Sequence, residues 1–116
     1  MTGEDEDLGM TAGKRLGPEE VPPVTIGQTR FEVVHWGRQR GLGQNGGYIA
    51  AIDVPSGKEL WTLKVYEVKY DPDMEEDVQD VFIESLAPRG DDRLAIVDER
   101  GRKYIVEPRQ RQVRSE

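Results

Sequence analysis

The sequence predicts a small, mainly β domain of about six antiparallel strands in a meander, folded as a twisted sheet or a partly open barrel. Apolar and polar residues alternate along several short segments, which is the period of a strand with one buried face. Clusters of Gly, Pro and Asp separate these segments, as turns between strands do. The chain has 116 residues, of which 35% are hydrophobic, so it fits one domain with a modest core.

Two terminal segments are predicted to lie outside this domain. Residues 1–23 are rich in Gly, Pro and acidic side chains, so they can bury too little apolar surface to offset the entropy lost on ordering. We expect a disordered acidic tail there, which ends at a pair of prolines. The domain is predicted to span residues 24–108, and a frayed basic tail follows at residues 109–116.

The first three predicted strands differ in which faces they bury. Residues 30–36 alternate between apolar and polar side chains, as expected of a strand with one buried face. Residues 48–54 are nearly all apolar, so we expect this strand to be buried on both faces. A Pro-Ser-Gly-Lys turn at residues 55–58 leads into the longest alternating segment, residues 60–70.

An acidic segment interrupts the pattern before the last three strands. Asp71 suits the cap of a helix and Pro72 suits its first position, so we predict one short helical turn within residues 72–80. Strands are then predicted over residues 81–86, 93–98 and 103–106, separated by Gly-containing turns. The core is expected to be dominated by Trp61, Leu63, Val65, Phe82, Ile83, Ile96 and Ile105.

One segment resembles the repeat of quinoprotein-type (PQQ-like) β-propellers. Residues 47–61 read Gly-Tyr-Ile-Ala-Ala-Ile-Asp-Val-Pro-Ser-Gly-Lys-Glu-Leu-Trp, and blades of that family carry an apolar strand ending in Asp, a Gly-Lys turn and a strand that opens on Trp. Residues 93–104 are a fainter copy without the Trp. The resemblance implies a tight hairpin at each place. A propeller needs about four to eight blades, whereas this chain has room for two at most, and the family's coenzyme residues cannot be placed on it.

Composition excludes several classes of function. The formal net charge is -7, so the body repels phosphate backbones and we expect no binding to nucleic acid. The chain has no cysteine and a single histidine, His35, which excludes disulfides, a cysteine nucleophile and any site that needs two imidazoles. A signal peptide is not expected, because residues 1–10 hold no basic side chain and no apolar run, and no apolar run of about 20 residues occurs in the sequence. We therefore expect a cytoplasmic protein that binds neither membrane nor cofactor.

The densest charge lies in residues 67–80, which hold seven acidic residues against one lysine. Such a segment suits a partner protein with a basic surface, and Glu75, Glu76 and Asp77 are the acidic residues predicted to contact it. Carboxylates are also the ligands that hard divalent cations prefer, although the spacing of a calcium-binding loop is not met here. The candidate metal ligands are Asp71, Asp73, Asp77 and Asp80.

Residues 41–46 satisfy the pattern G-x-G-x-x-G. In a dinucleotide site this pattern opens a helix, whereas here a strand is predicted to follow, so such a site is not expected. The alternatives are a loop that only joins two strands, or a small anion-binding loop flanked by Arg38 and Arg40. In the second case both arginines contribute to partner binding.

Three functions remain open on the sequence. The first is a non-enzymatic protein-binding or accessory module that uses the acidic segment, because charge clusters there while no catalytic arrangement is evident. The second is a small bacterial immunity or inhibitor protein that blocks a basic toxin, which the charge alone suggests. The third is a divalent-metal-binding protein or small enzyme built on the carboxylates of residues 71–80. Open sheet edges invite pairing, so either a monomer or a homodimer is expected.

Overall fold

The protein folds into two antiparallel sheets, each a meander of four strands. A computed structural model describes residues 17–75 and 78–116. The first sheet contains β1 (Val24–Ile26), β2 (Thr29–Val34), β3 (Tyr48–Asp53) and β4 (Glu59–Lys64). The second contains β5 (Ile83–Arg89), β6 (Arg93–Asp98), β7 (Lys103–Glu107) and β8 (Gln112–Ser115). One turn of 3-10 helix, Gly37–Arg40, lies between β2 and β3.

The predicted mainly β, antiparallel class is confirmed, but the predicted number and arrangement of strands are wrong. The described residues form eight strands rather than six, and they make two sheets rather than one twisted sheet or a barrel. The strands that the sequence pattern missed are β1 and β8, which have three and four residues. Alternation cannot be recognised over so few residues. Residues 109–116, predicted to be a frayed tail, contain the last of these strands.

The short helix predicted near residues 72–80 is also wrong. The described residues of that segment form turns, and the described chain contains no α-helix. The side chain of Gln79 accounts for the difference, since its Nε2 donates to the backbone carbonyls of Asp71, Met74 and Glu75. When a side-chain amide donates to these carbonyls, it replaces the backbone N–H donors that would bond to them in a helix.

The core lies between the two sheets. Side chains from both sheets meet there, and the large ones that are 0% exposed are Ile49, Leu94, Ile96 and Val106. Burial of side chains of this size contributes about 1.5–3 kcal/mol each. The expectation that β3 is buried on both faces is confirmed, because residues 48–52 are all buried.

Five of the seven predicted core residues are buried, and two are only partly buried. The two exceptions are Trp61 and Leu63, which lie on the edge strand β4 and so have a neighbouring strand on one side alone. Trp61 packs instead against Phe31, with ring centroids 6.0 Å apart.

The two hairpins predicted around residues 53–57 and 98–102 are both formed. Asp53 and Gly57 close the β3–β4 turn, where Gly57 has a φ of 73°. Asp98 ends β6 and is fully buried. Its Oδ1 accepts the backbone N–H groups of Arg100 at 2.9 Å and Arg102 at 3.0 Å, and its Oδ2 accepts the Tyr104 hydroxyl at 3.0 Å. A buried carboxylate with this many donors holds the β6–β7 turn to the core.

Residues 17–23 lie against the domain, although the sequence assigned them to the acidic tail. Val21 packs partly buried on the core, and the carbonyl of Glu19 lies 3.0 Å from His35 Nε2. Residues 1–16 lie outside the described residues, so the predicted disorder is not tested for them. No helix in the described part of the chain is long and apolar enough to cross a membrane.

The substitution Asp98→Ala is expected to lower the free energy of unfolding by about 3 kcal/mol, because it leaves buried donors without an acceptor. Asp53→Ala is the matched control. Asp53 is only partly buried, and among the described residues its side chain accepts from Ser56 alone, so we expect a loss of about 1 kcal/mol. Urea denaturation of both variants measures the difference, and equal losses would contradict the role given to Asp98.

Candidate functional site

The structure brings together the two segments that the sequence singled out. We name residues 37–47 the glycine loop and residues 67–80 the acidic loop. The guanidinium carbon of Arg38 lies 4.8 Å from the centre of the Tyr70 ring. Asn45 Nδ2 donates to Asp80 Oδ2 at 3.1 Å. The two loops therefore form one continuous surface.

The side-chain amide of Gln44 fixes the glycine loop to the chain that leaves β4. Gln44 is 3% exposed. Its Nε2 donates to the carbonyls of Gly46 at 2.9 Å and Tyr66 at 2.8 Å, and its Oε1 accepts the N–H of Val68 at 2.9 Å. A buried amide whose donors and acceptor are satisfied rigidifies the segments that it joins. No local pattern indicates this role, because the contacts with Tyr66 and Val68 join residues far apart in the chain.

Close packing explains two of the glycines in and beside the G-x-G-x-x-G pattern. A Cβ placed on Gly46 would lie 2.2 Å from the carbonyl oxygen of Val81. A Cβ on Gly37 would lie 2.3 Å from the carbonyl oxygen of Gln44. β3 begins at Tyr48 directly after the loop, so the predicted strand is confirmed and the helix that a dinucleotide site requires is not there.

The two arginines of the glycine loop have different neighbours. Arg38 stacks on Tyr70 and so belongs to the surface shared with the acidic loop. Arg40 instead forms an ion pair with Glu59 at the start of β4. The hydrogen bond from Thr62 and the pairing with Arg40 lower the pKa of Glu59. Of the two predicted cationic contact residues, the structure therefore places only Arg38 beside the acidic loop.

Gln79 organises the acidic loop from within. Its Oε1 accepts the N–H of Asp71 at 2.6 Å, in addition to the three carbonyls that its Nε2 contacts. Asp71 Oδ1 accepts the N–H of Asp73 at 2.9 Å, which closes a local turn. The side chains of Asp71, Asp73 and Glu75 are exposed, and no cation of the described residues forms an ion pair with them. Glu76 and Asp77, the other predicted contact residues, lie outside the described residues.

The candidate metal ligands have separate roles in the described residues. Asp80 is 4% exposed, and its Oδ1 accepts the Tyr70 hydroxyl at 2.5 Å. Asp71 and Asp73 take part in the exposed turn described above. Within residues 17–75 and 78–116, no group of three or more His, Asp or Glu side chains is arranged to hold a metal ion. Asp77 lies outside these ranges, so a site that includes it stays a prediction.

His35 packs as an aromatic ring. It lies edge-on to Phe82, with ring centroids 5.6 Å apart. Burial lowers its pKa, and the carbonyl of Glu19 together with nearby acidic groups only partly opposes this effect. The ring is therefore neutral at pH 7, and its Nδ1 is buried without a hydrogen-bond partner among the described residues.

The free energy of unfolding is expected to fall at alkaline pH, because Tyr70 then ionises in the contact between the two loops. Burial and the hydrogen bond to Asp80 raise the pKa of Tyr70 to about 12. The folded state thus favours the neutral phenol. The contribution of Tyr70 to the free energy of unfolding is complete below about pH 10 and is lost as the pH rises through about 12. Urea denaturation at about pH 9 and about pH 11 should show this loss. Tyr70→Phe should reduce the dependence, while Tyr66 and Tyr104, whose pKa values are also raised, retain their share. An unchanged dependence in Tyr70→Phe would contradict the assignment.

Gly46→Ala is expected to separate the glycine loop from residue 81, since the new methyl group would overlap a backbone oxygen. Overpacking of this kind costs about 1–3 kcal/mol. Gly43→Ala is the matched control, because a Cβ on Gly43 meets nothing within 4 Å. Thermal unfolding of the two variants, each compared with the wild type, tests the close approach. Similar losses in both variants would show that loop flexibility, and not packing, sets the effect.

Comparison with known proteins gives no family for this chain. No protein-family model, no curated protein and no solved structure matches it. The resemblance of residues 47–61 to a propeller repeat therefore stays a prediction. The function has to be argued from the geometry and charge of the surface that the two loops form.

Proposed function

We propose that the protein is a non-enzymatic protein-binding module, and that the acidic loop together with Arg38 contacts a partner with a basic surface. The observation that carries the proposal is the joining of the two loops by Gln44, Asn45 and Asp80. A surface that is already ordered loses little conformational entropy when it binds. Exposed carboxylates also attract a basic partner before contact is made.

The acidic loop also offers apolar contacts beside its charge. Met74 is 53% exposed and Val78 is 42% exposed. Both line a groove of about 460 Å³, and its lining also includes Lys69 and, from the β6–β7 turn, Arg100 and Arg102. Protein interfaces commonly combine an apolar centre with a polar or charged rim. The groove supports a partner that inserts an apolar side chain and places its cations over the exposed acidic residues.

An immunity or inhibitor protein directed against a basic toxin would use the same surface. That function differs from a general binding module only in the identity of the partner, and the shared requirement is a basic protein surface. A metal-binding protein or small enzyme built on residues 71–80 remains the third proposal. Calorimetric titration with calcium, magnesium and manganese tests it, and binding by the wild type that is lost in Asp77→Asn would support it.

Reversal of three exposed carboxylates is expected to abolish partner capture. The test variant is Asp71→Lys/Asp73→Lys/Glu75→Lys, and the control variant is Glu84→Lys/Asp91→Lys/Asp92→Lys, whose three exposed side chains lie on or beside β5. Both variants change the net charge equally. Immobilised wild type and variants are compared for proteins captured from cell extract by quantitative mass spectrometry.

We expect the test variant to lose at least about tenfold of the captured partner, because like charges then face each other. The control variant should capture as much as the wild type. Capture by the wild type should also fall as salt is raised, since exposed charges are screened. Capture at the wild-type level by the test variant would refute the proposal, and equal losses in the two variants would show that net charge alone matters.

A further inference from the structure

The strand β2 has a neighbour on its outer side along only half of its length. β1 pairs with Thr29, Arg30 and Phe31 of β2, and no described strand pairs with residues 32–34 on that side. On the inner side, β3 pairs with all six residues of β2. The second half of β2 is therefore an open sheet edge, and such an edge can pair with a further strand.

The register shows which backbone groups this edge presents. The N–H of Val54 donates to the carbonyl of Gln28, so residue 28 bonds towards β3, and by alternation so do the even-numbered residues of β2. Val33 therefore directs its N–H and C=O groups to the open side. The N–H of His35 does the same, because it lies opposite the carbonyl of Val34 in a planar trans peptide group.

A proline in the preceding segment prevents β1 from covering this edge. Val24 of β1 is opposite Phe31, so Pro22 would be opposite Val33 if β1 continued in the same register. Proline has no backbone N–H and cannot donate to the carbonyl of Val33. β1 therefore ends at Val24, and the edge beyond it stays open.

A groove of about 740 Å³ lies between this edge and residues 18–23. Its volume is within the range of about 300–1,000 Å³ that is typical of ligand sites. Val33, His35 and Trp36 line the side that belongs to β2 and the residues after it. Trp36 is 44% exposed, so its ring is available to an apolar side chain. Within the described chain, no backbone hydrogen bond joins residues 18–23 to Val33 or His35.

The charge around the groove is negative. Five carboxylates line it or the adjoining groove that shares Pro18 and Glu20 with it: Glu19, Glu20, Glu32, Glu84 and Glu99. No lysine or arginine of the described residues lines either groove. Glu32 pairs with Arg30, whereas the exposed Glu19, Glu20 and Glu84 form no ion pair with a described residue. A basic occupant is therefore favoured.

We propose that the open edge of β2 binds an extended, basic segment of a partner protein, which adds to the first sheet as a further strand. Val33 supplies a donor and an acceptor to this strand, and His35 supplies a second donor. Main-chain hydrogen bonds of this kind give affinity, and side-chain contacts give specificity. An apolar residue of the segment packs on Trp36, and its cations lie near Glu20. The site uses no residue of the acidic loop and does not depend on the function proposed above.

Titration of the isotope-labelled full-length chain with a synthetic peptide tests the proposal by nuclear magnetic resonance. The probe is acetyl-Arg-Val-Thr-Val-Arg-amide, whose β-branched residues favour an extended backbone. Because a contact with one strand edge is weak, the peptide is added to about 10 mM. The amide signals of Val33 and His35 and the indole signal of Trp36 should shift. The amide of Val34, which bonds towards β3, should shift less.

Modified peptides separate strand addition from attraction of charge. One analogue is N-methylated at both valines and the other at the threonine. Since alternate N–H groups of a strand face opposite sides, only one of these two should bind at least about fivefold more weakly than the probe. The acidic analogue acetyl-Glu-Val-Thr-Val-Glu-amide should also bind at least about fivefold more weakly, because carboxylates line the groove.

A charge-reversed variant tests the part played by the groove. Glu20→Lys is expected to weaken binding of the probe at least about threefold. Asp91→Lys is the matched control, because it changes the net charge equally at the exposed β5–β6 turn, and it should bind the probe as the wild type does. The comparison of the methylated peptides uses the wild type alone, so the test does not depend on the folding of a variant.

Several outcomes would overturn the proposal. They are unshifted amides of Val33 and His35 at the highest peptide concentration, equal affinities of the two methylated peptides, undiminished binding of the acidic analogue, and equal binding by Glu20→Lys and Asp91→Lys. A shift of the same two amides on dilution without peptide would also do so, because the occupant is then a second copy. Shifts confined to the acidic loop would refute this site while supporting the function proposed above.

Discussion

Burial of one face of each sheet against the other is the constraint on which the rest of the structure depends. A single four-stranded meander with one apolar face has little stability in water, so Ile49 of the first sheet and Leu94 of the second are withdrawn from water only when the sheets meet. The chain must then cross from β4 to β5, and it does so over residues 65–82. Buried Val65 and Phe82 hold the two ends of this crossover, and the polar stretch between them forms the acidic loop.

The described residues of this crossover form no regular secondary structure, so side chains satisfy their backbone groups. The side chain of Gln44 forms hydrogen bonds with the backbone of residues 66 and 68, and the side chain of Gln79 forms them with the backbone of residues 71, 74 and 75. The buried carboxylate of Asp80 accepts from Tyr70 and Asn45. A buried polar group is costly unless it is bonded, so each of these contacts favours a single arrangement of the loops. The order of the proposed binding surface thus follows from the requirements of the crossover.

Local patterns predicted the parts of the fold that are themselves local. The bounds of β6 and the Asp-Gly hairpins could be predicted because alternation and turn residues are read over fewer than about ten residues. The division into two sheets could not, since it depends on which strands pair across long separations. For the same reason the sequence identified the acidic loop and the glycine loop but not their contact. It could not distinguish Arg38, which meets Tyr70, from Arg40, which meets Glu59.

The topology also separates the charge near the acidic loop from the net charge of -7. The groove beside the acidic loop lies at the β6–β7 turn, whereas Arg93 begins β6 at the other end of that strand. Six residues of strand span about 17–20 Å, and charges in physiological salt are screened within about 8 Å. A partner at one end therefore responds to the local charge there and not to the net charge. Substitutions on Arg93 should accordingly leave capture by the acidic loop unchanged.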